Sequence, residues 1–498
     1  MNVYNILQDI VGVDYVSDED FIIETYARGI SGVGTKHPAI VVIPESSEEI
    51  SEILKVANRE KMNVIPRGGG AGLLDGVLPL VSGGIVIDMT RMNNIINFNE
   101  NTLTATVECG ITWAKLNSFL MERGYYTGTL GPGSGMSAVV GGGLSHHSVG
   151  GGGAAKYGAV TRHCVGLEVV LPNGKTINVG SGASKYIKEP FSRWGLGPDY
   201  LGLFMGDQGI HGVKTKATLL VYPRPKYRAY KTFSIKRRGD KLWPQIVLEL
   251  RKKGELGLYD VFYFPQLIMQ AFQGLLIVKD PIVFESIKEH DPKGRAIMIY
   301  TMEAETQEGL EANQKIVDEI FLNKKGITAF GPEIEDGNIA KWHYEMNGHW
   351  QTYHGFWGVL GEGSIPQTGE HHIPAHQYTD LMKKFDQWEA ENSELINQVK
   401  AMSGVGSSLL CDRTTLEVDS GLTVFNKPEY HEINEKIWKS YLEMVVKSGG
   451  MPYMAGMRFS RALVDVNAFS DDFYEFMGSI KDTLDPNRIL SRGKYHFE

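Results

Sequence analysis

Residues 43–76 read IPESSEEISEILKVANREKMNVIPRGGGAGLLDG. Ile43 belongs to an apolar run, AIVVIP (39–44), that reads as a strand. Ser46 and Glu49 have capping-box spacing, and Ile50, Ile53, Leu54 and Ala57 supply a helical apolar face, which predicts a helix from about Glu48. NVIPRGGG then predicts a short strand running straight into a glycine turn. Backbone N–H groups in such a turn can point into one concavity and bind phosphate oxygens, because no Cβ blocks the approach. Further glycine blocks follow at 131–135, 141–143 and 150–153, so glycine is used in this half of the chain to build site-forming loops.

Two nucleotide signatures fail here. GxxxxGK[ST] is absent. Gly150, Gly152 and Ala155 satisfy G-x-G-x-x-A, but they lead into KYGAVTRHCVGLEVVL, which reads as loop and strand rather than the helix a dinucleotide fold needs. Outward from the loops, GIVIDM, LTATVE and GLEVVLPNGKTINV read as strands, the last two joined through Asn173-Gly174, a tight-hairpin signal. TWAKLNSFLMERG reads as a helix with Gly124 at its end. The pattern is α+β, with helices interleaved among largely antiparallel strands.

From about Pro223 glycine thins, aromatics rise, and helical patterns lengthen around 307–322, 376–392 and 429–447. PRPK (223–226) marks a boundary, and a final helix ends at Asp485-Pro486. This divides the chain into residues 1–225, a second domain over 226–470, and a closing segment over 471–498. The formal net charge of −9, spread over nearly balanced acids and bases, gives no basic face for nucleic acid. Cys109, Cys164 and Cys411 are far apart in sequence, which suits a reducing compartment and offers no zinc or iron–sulfur cage. Neither a signal peptide nor a membrane span is legible, so the expectation is a cytoplasmic protein with a small-molecule substrate.

Four motifs in order resemble the FAD domain of the p-cresol methylhydroxylase and vanillyl-alcohol oxidase superfamily, which includes glycolate oxidase and flavin D-lactate dehydrogenases. They are residues 43–76, GSGMSAVVGGGLSHHSVGGGGAAKYGAVTRHCVGLEVVLPNG, LGLFMGDQGIHGVKTKATLLVYPRP and LDPNRILSRGKY. The resemblance implies a two-part FAD-binding domain and an α+β substrate (cap) domain. It implies that Arg67, Gly68, Gly69, Gly70, Gly72 and Leu73 wrap the pyrophosphate. Val140, Gly141, Gly142 and His146 would follow the second loop, Gly209 and Val213 the adenosine side, and Lys494 the isoalloxazine. The first loop has no histidine of the kind that attaches flavin covalently in some relatives, so non-covalent FAD is expected.

Candidate chemistry falls in HYEMNGHWQTYHGFW (343–357), GEHHIPAHQ (369–377), LLCDRTTLEV (409–418) and MPYMAGMRFSR (451–461). Histidine is the usual base near neutral pH and arginine the usual carboxylate clamp. His371 and His372 precede IPAHQ, read as strand-like; alternation lets only one face a pocket, and His372 is chosen as the base, with Tyr453 as the other acid–base group. Arg413 and Arg458 are the candidate substrate clamps. The hydroxy-acid branch usually carries G-H-x-G-D-G-N-x-H and G-E-H-G; this chain has LLCDRTTLEVDSG and GMPYMAGMRFS there, so no metal is expected.

Three functions compete. The first is an FAD dehydrogenase that oxidises an alcohol or hydroxy acid by hydride transfer to flavin N5 and passes electrons to a separate acceptor. The second is a 4-alkylphenol or benzylic oxidase. The third is a non-catalytic flavin subunit of an electron-transfer complex. A homo-oligomer, or a subunit with an electron-transfer protein as partner, is the expected assembly.

Overall fold

A computed structural model describes residues 2–29, 36–72, 76–150, 152–235, 241–265, 296–329, 339–348, 364–425, 427–453 and 457–496. The chain begins with a small sheet of β1 (Val16–Ser17), β2 (Ile40–Val42), β3 (Val64–Arg67) and β4 (Ile85–Asp88), ordered β1-β2-β4-β3. Helix Ser47–Glu60 connects β2 to β3, and its start follows the expected cap: Glu49 N–H donates to Ser46 Oγ at 3.1 Å. Glu49 Oε2 in turn accepts from the N–H of Glu45 at 2.7 Å, one residue before the usual capping-box donor. Ile50, Ile53, Leu54 and Ala57 face a core shared with Val64, Ile87 and, from the far end of the chain, Ile489 and Leu490.

The strands are largely antiparallel, as expected, and this small sheet holds the two exceptions among the described residues. β4 runs parallel to both β2 and β3, and helix Ser47–Glu60 carries the chain back across the sheet between β2 and β3. The next sheet, β5 (Ile95–Asn99), β6 (Thr104–Glu108), β10 (Val213–Leu220), β8 (Cys164–Val170) and β9 (Thr176–Gly180), is antiparallel throughout. Its β8–β9 hairpin turns at Asn173-Gly174, where Gly174 has φ +79°. β7 (Tyr125–Tyr126) pairs with β11 (Tyr222–Pro223), after which the chain enters a larger sheet at Tyr227.

That sheet has nine strands among the described residues: β12 (Tyr227–Ile235), β13 (Leu258–Phe264), β14 (Ala296–Ala304), β15 (Ile327–Ala329), β16 (Ser364–Thr368), β17 (His371–Pro374), β18 (Met402–Asp412), β19 (Thr415–Phe425) and β20 (Met451–Pro452). Every pairing in it is antiparallel. One face packs on helices Leu242–Lys252, Gln307–Leu322, Tyr378–Gln398 and His431–Lys447 through Phe233, Val261, Tyr263, Met298 and Val418. The other face, with Phe262, Phe264, Ile299 and Leu409, packs on Val149, Ala154 and Ala159 of the glycine-loop half. The sheet is thus sandwiched between its own helices and the first half of the chain, an α+β architecture.

Helix Asp471–Leu484 stops at Asp485, ahead of Pro486, as that pair predicts. The tail then returns to the first sheet: Val64 N–H donates to the carbonyl of Ile489 at 2.7 Å and Ser491 N–H to that of Val64 at 2.8 Å. Beneath it Lys481 is fully buried, with Nζ on Asp485 Oδ2 (2.6 Å) and the carbonyls of Ile210 and Leu490.

Candidate functional site

The loop after β3 and the start of helix Val140–His146 face each other across a cavity of about 960 Å³, its open mouth included. The loops approach closely because glycine leaves them nothing to collide with. A Cβ on Gly68 would strike Val139, one on Gly69 would strike the Ser137 carbonyl, and one on Gly141 would lie 2.9 Å from Cys109 Cβ. From Gly68 to Gly72 no backbone N–H finds an acceptor among the described residues. Consecutive free donors of this kind, with the buried ammonium of Lys214 on the opposite wall, suit a diphosphate.

Arg67, Gly68, Gly69, Gly70, Gly72, Gly141, Gly142, His146, Gly209 and Val213 all line this one cavity. Val140 does not, a correction to its reading as a loop contact. Its N–H donates to the Ile111 carbonyl at 2.8 Å and its side chain packs in the core beside Trp113 and Leu144. Lys494 also stands off the wall, buried behind it, with Nζ donating to the Gln208 carbonyl (2.7 Å) and to Ser491 Oγ (3.3 Å). Leu73 lies outside the described residues.

Sequence reasoning missed Lys214. It sits in VKTKATLL two residues from Lys216, and an alternating strand gives both lysines the same apparent face. A register shift between Lys214 and Lys216 against β8 separates them. Lys214 is buried against Asp207 and Ser145 Oγ (2.9 Å), whereas Lys216 reaches half-exposed to Glu168. Burial, then the nearby Lys494 and Lys214, lower His146 to about 4, so a neutral imidazole lines the cavity.

Beyond the cavity edge lies the large sheet. Ser148 is on the cavity wall, and the N–H of Val149 donates to Tyr453 Oη at 2.6 Å. The Tyr453 ring stacks on His372, with centroids 4.9 Å apart and planes 18° from parallel. The register pairs His372 with Glu417 across β17 and β19, which puts both on the face towards the cavity; alternation adds Glu370 and Asp419. His371 points the other way, with Nδ1 2.9 Å from the Gly369 carbonyl and 3.4 Å from Ser420 Oγ, itself bonded to Tyr441 of the helix layer. Burial pushes Glu370 and Glu417 well above the usual carboxylate range and Asp419 to about 6; Asp419 adds to the rise of both glutamates, and Glu370 to that of Glu417. Burial lowers His372 to about 4 and raises Tyr453.

Three expectations shift. The strand spans His371–Pro374 and contains both histidines; Ala375–Gln377, read as strand-like, is a turn of 3-10 helix. Arg413 is exposed in the turn between β18 and β19, where its carbonyl accepts from Arg251 Nε at 2.7 Å, and it is absent from the cavity wall. Arg458 falls in helix Met457–Asp465, but its side chain, and residues 349–363 of the aromatic segment, lie outside the described residues. The carboxylates were not foreseen: L-E-V-D in β19 alternates like a strand with one wet face, and only the packing of the other half of the chain makes that face dry. Among the described residues no three His, Cys, Asp or Glu side chains are spaced to hold a metal ion.

Residues 38–180 match a family model described as an FAD binding domain. The fold matches 4-ethylphenol oxidase from Gulosibacter chungangensis (TM-score 0.82, 16% identity, 100% of this chain and 97% of that one). It also matches p-cresol methylhydroxylase (TM-score 0.80, 19% identity, 100% and 96%). The chain is a flavoprotein of the p-cresol methylhydroxylase fold. By sequence, the flavoprotein is 33% identical over 215 residues to D-lactate dehydrogenase [cytochrome] 1 of Saccharomyces cerevisiae, a match taking in 43% of this chain and 35% of that protein. It is 32% identical over 189 residues to glycolate oxidase subunit GlcD of Bacillus subtilis, covering 38% of each. The flavoprotein thus spans little more than a third of those two relatives. A D-lactate dehydrogenase [cytochrome] of Arabidopsis thaliana matches at 26% over 463 residues, 92% of this chain and 73% of that one. No helix among the described residues is long and apolar enough to cross a membrane.

Proposed function

We propose that the flavoprotein is an FAD-dependent dehydrogenase of a small, uncharged substrate, oxidised at a carbon that bears a hydroxyl or is activated by a phenol ring, with electrons passed to a separate acceptor. The observation that carries this choice is the acidic face of buried Glu370 and Glu417 and half-buried Asp419 beside Tyr453 and His372. Among the described residues, the charged groups that act on Glu370 and Glu417 are acidic neighbours, with no cation among them. A substrate carboxylate would be buried there among acids, with no cation among the described residues to pair with it, in low-dielectric surroundings where an unpaired charge is costly. A neutral hydroxyl would find hydrogen-bond partners.

Bound FAD supplies the two-electron acceptor, held by the loop N–H groups of Gly68 to Gly72 and by Lys214. The protein's task is then to position the substrate and remove a proton. Tyr453 Oη already accepts from Val149, so its own proton is free to reach a substrate oxygen. A carboxyl group that titrates at about 6, as Asp419 does, is suited to receive a proton near neutral pH, and His372, neutral at that pH, can relay it.

The similarity to a D-lactate dehydrogenase over most of the chain favours a second reading, oxidation of a 2-hydroxy acid. Anaerobic bleaching of the flavin separates the two. We expect 4-alkylphenols or benzylic alcohols to reduce it, with D-lactate and glycolate inert. Faster reduction by either hydroxy acid overturns the proposal, and bleaching by no member of a broad panel would leave a non-catalytic flavin subunit.

A further inference from the structure

Oxidation of a substrate that carries a hydroxyl sends a hydride to the flavin and the hydroxyl proton to a protein side chain. That proton has to leave before the next turnover. His372, its relay, is closed in by the Tyr453 ring, and its buried Nε2 has no hydrogen-bond partner among the described residues. A second imidazole lies close by. His147 is two residues from Val149, whose N–H holds Tyr453 Oη at 2.6 Å beneath the stack on His372. Consecutive Cα atoms are about 3.8 Å apart, so His147 stands within about 8 Å of that contact. It caps helix Val140–His146 in the left-handed conformation (φ +55°) and is exposed. Its Nδ1 is 2.5 Å from Thr161 Oγ1, and among the described residues nothing bonds its Nε2. With Nδ1 fixed, Nε2 is the atom that can take up a proton and pass it on.

The surroundings lead from this ring to water. Thr161 belongs to the 3-10 turn Val160–His163, which Arg193 steadies by donating to the Thr161 carbonyl at 2.9 Å. The next residue, Arg162, reaches Asp412 at the end of β18 at 2.5 Å, and with side chains 53% and 34% exposed this bridge marks where solvent enters between the two halves. The charged and titratable groups acting on the two rings are Arg162 and Arg193 on His147, and His147, His371 and Asp412 on His372. We infer that His147 is the outlet for the substrate's proton, receiving it from His372 and releasing it to water where Arg162 and Asp412 bridge the halves. The step moves a proton alone: an N–H bond breaks on His372, one forms on His147, and the proton then passes to a solvent base. Enclosure, then the two guanidiniums, hold His147 below the ordinary imidazole value, so it gives up what it receives. The inference rests on the proposed oxidation with His372 as proton carrier, and it holds for either substrate class.

The test mixes the FAD-loaded protein, without oxygen, with whichever substrate bleaches it, in dilute buffer containing a pH-indicator dye. In wild type the dye should keep pace with bleaching. In His147→Asn, a residue that suits the left-handed backbone, proton release should lag bleaching about tenfold or more, with flavin content and melting temperature at wild-type values. Imidazole in the buffer should remove the lag, because a small base replaces the missing ring; a packing defect would not respond to it. A second measurement needs neither flavin nor substrate. In apoprotein with nitrogen-labelled histidine rings, His147→Asn should move the His372 titration upwards, and Arg162→Gln should do the same to that of His147. Proton release that keeps pace with bleaching in His147→Asn overturns the inference alone. So does a lag that imidazole leaves in place, or ring titrations that neither change moves. A flavin that no substrate bleaches overturns the inference together with the function it rests on.

Discussion

At Gly69 a side chain would have to occupy the space of the Ser137 carbonyl, so Gly69→Asp should lose FAD and much of its stability together. Gly142→Asp is the sharper test. A Cβ there meets only Val139 Cγ2 at 3.5 Å, an ordinary contact, and the residue lies in the first turn of its helix, where an acid is well placed. It should fold normally yet expel the cofactor, read as a normal melting curve with an apoprotein absorbance spectrum; full flavin content would remove this wall from the site. Lys494 makes a second residue-level prediction. Among the described residues its amine has no carboxylate within bonding reach, and the charged groups around it are Asp207, Lys214 and Lys481, with His146 and Tyr495 beside them. Burial lowers it to about 7 in the cofactor-free protein. A depressed lysine makes the unfolded chain the better proton binder above pH 7, so this group's cost to the apoprotein shrinks as pH rises from 7 towards the ordinary lysine value. A bound diphosphate would restore the proton, so FAD affinity should fall by up to about tenfold per pH unit above 7. Fluorescence titration of apoprotein with FAD at several pH values reads this directly, and Lys494→Met should flatten the dependence. An equally steep profile in Lys494→Met would assign the proton elsewhere.

Strands and helices whose cause is local were legible in the chain. The Ser46 cap, the Asn173-Gly174 turn and the stop at Asp485 all sit where their residues predict. What escaped the sequence were features decided by a partner element: the parallel β2-β4-β3 pairing, the inward turn of Lys214, and the drying of the Glu417 and Asp419 face. The glycine loops were readable because glycine is needed wherever backbone must meet backbone or ligand. A carboxylate on a strand looks the same whether water or protein covers it. Strand alternation at β17 yields a prediction of its own, since His371 and His372 differ by one residue and by a whole sheet face. His372→Asn should slow substrate-driven flavin reduction about 100-fold, the usual contribution of a positioned proton-transfer group, with an unchanged flavin spectrum and melting temperature. His371→Asn should do the reverse, lowering the melting temperature by disturbing Ser420 and Tyr441 while flavin reduction stays near the wild-type rate. Equal kinetic effects from the two variants would mean that the face assignment has no bearing on chemistry.

Across the whole molecule the two halves meet over an apolar patch and two buried acids of the large sheet. Asp260 accepts from the N–H of Gly153 at 2.8 Å, and burial raises it to about 7. Glu303, with a side chain fully shielded from solvent, accepts from Tyr126 Oη (2.9 Å) and Lys156 Nζ (3.3 Å) of the first half and from Arg228 Nε (3.0 Å) of its own sheet. One carboxylate therefore ties the glycine-loop half to the sheet that carries Tyr453 and His372. Glu303→Gln keeps the shape but leaves Lys156 and Arg228, both mostly buried, without their anion. Breaking a buried pair by removing one partner costs about 3–5 kcal/mol. Because the loss falls at the seam, the two halves should come apart in their unfolding. Wild type should melt with release of flavin and loss of far-ultraviolet structure at the same temperature, whereas Glu303→Gln should release flavin first and melt its sheet domain later. Calorimetry beside flavin fluorescence on one heating ramp measures both. A variant that keeps the wild-type melting temperature with coincident signals would show that the apolar patch alone joins the halves and that Glu303 is dispensable to the seam.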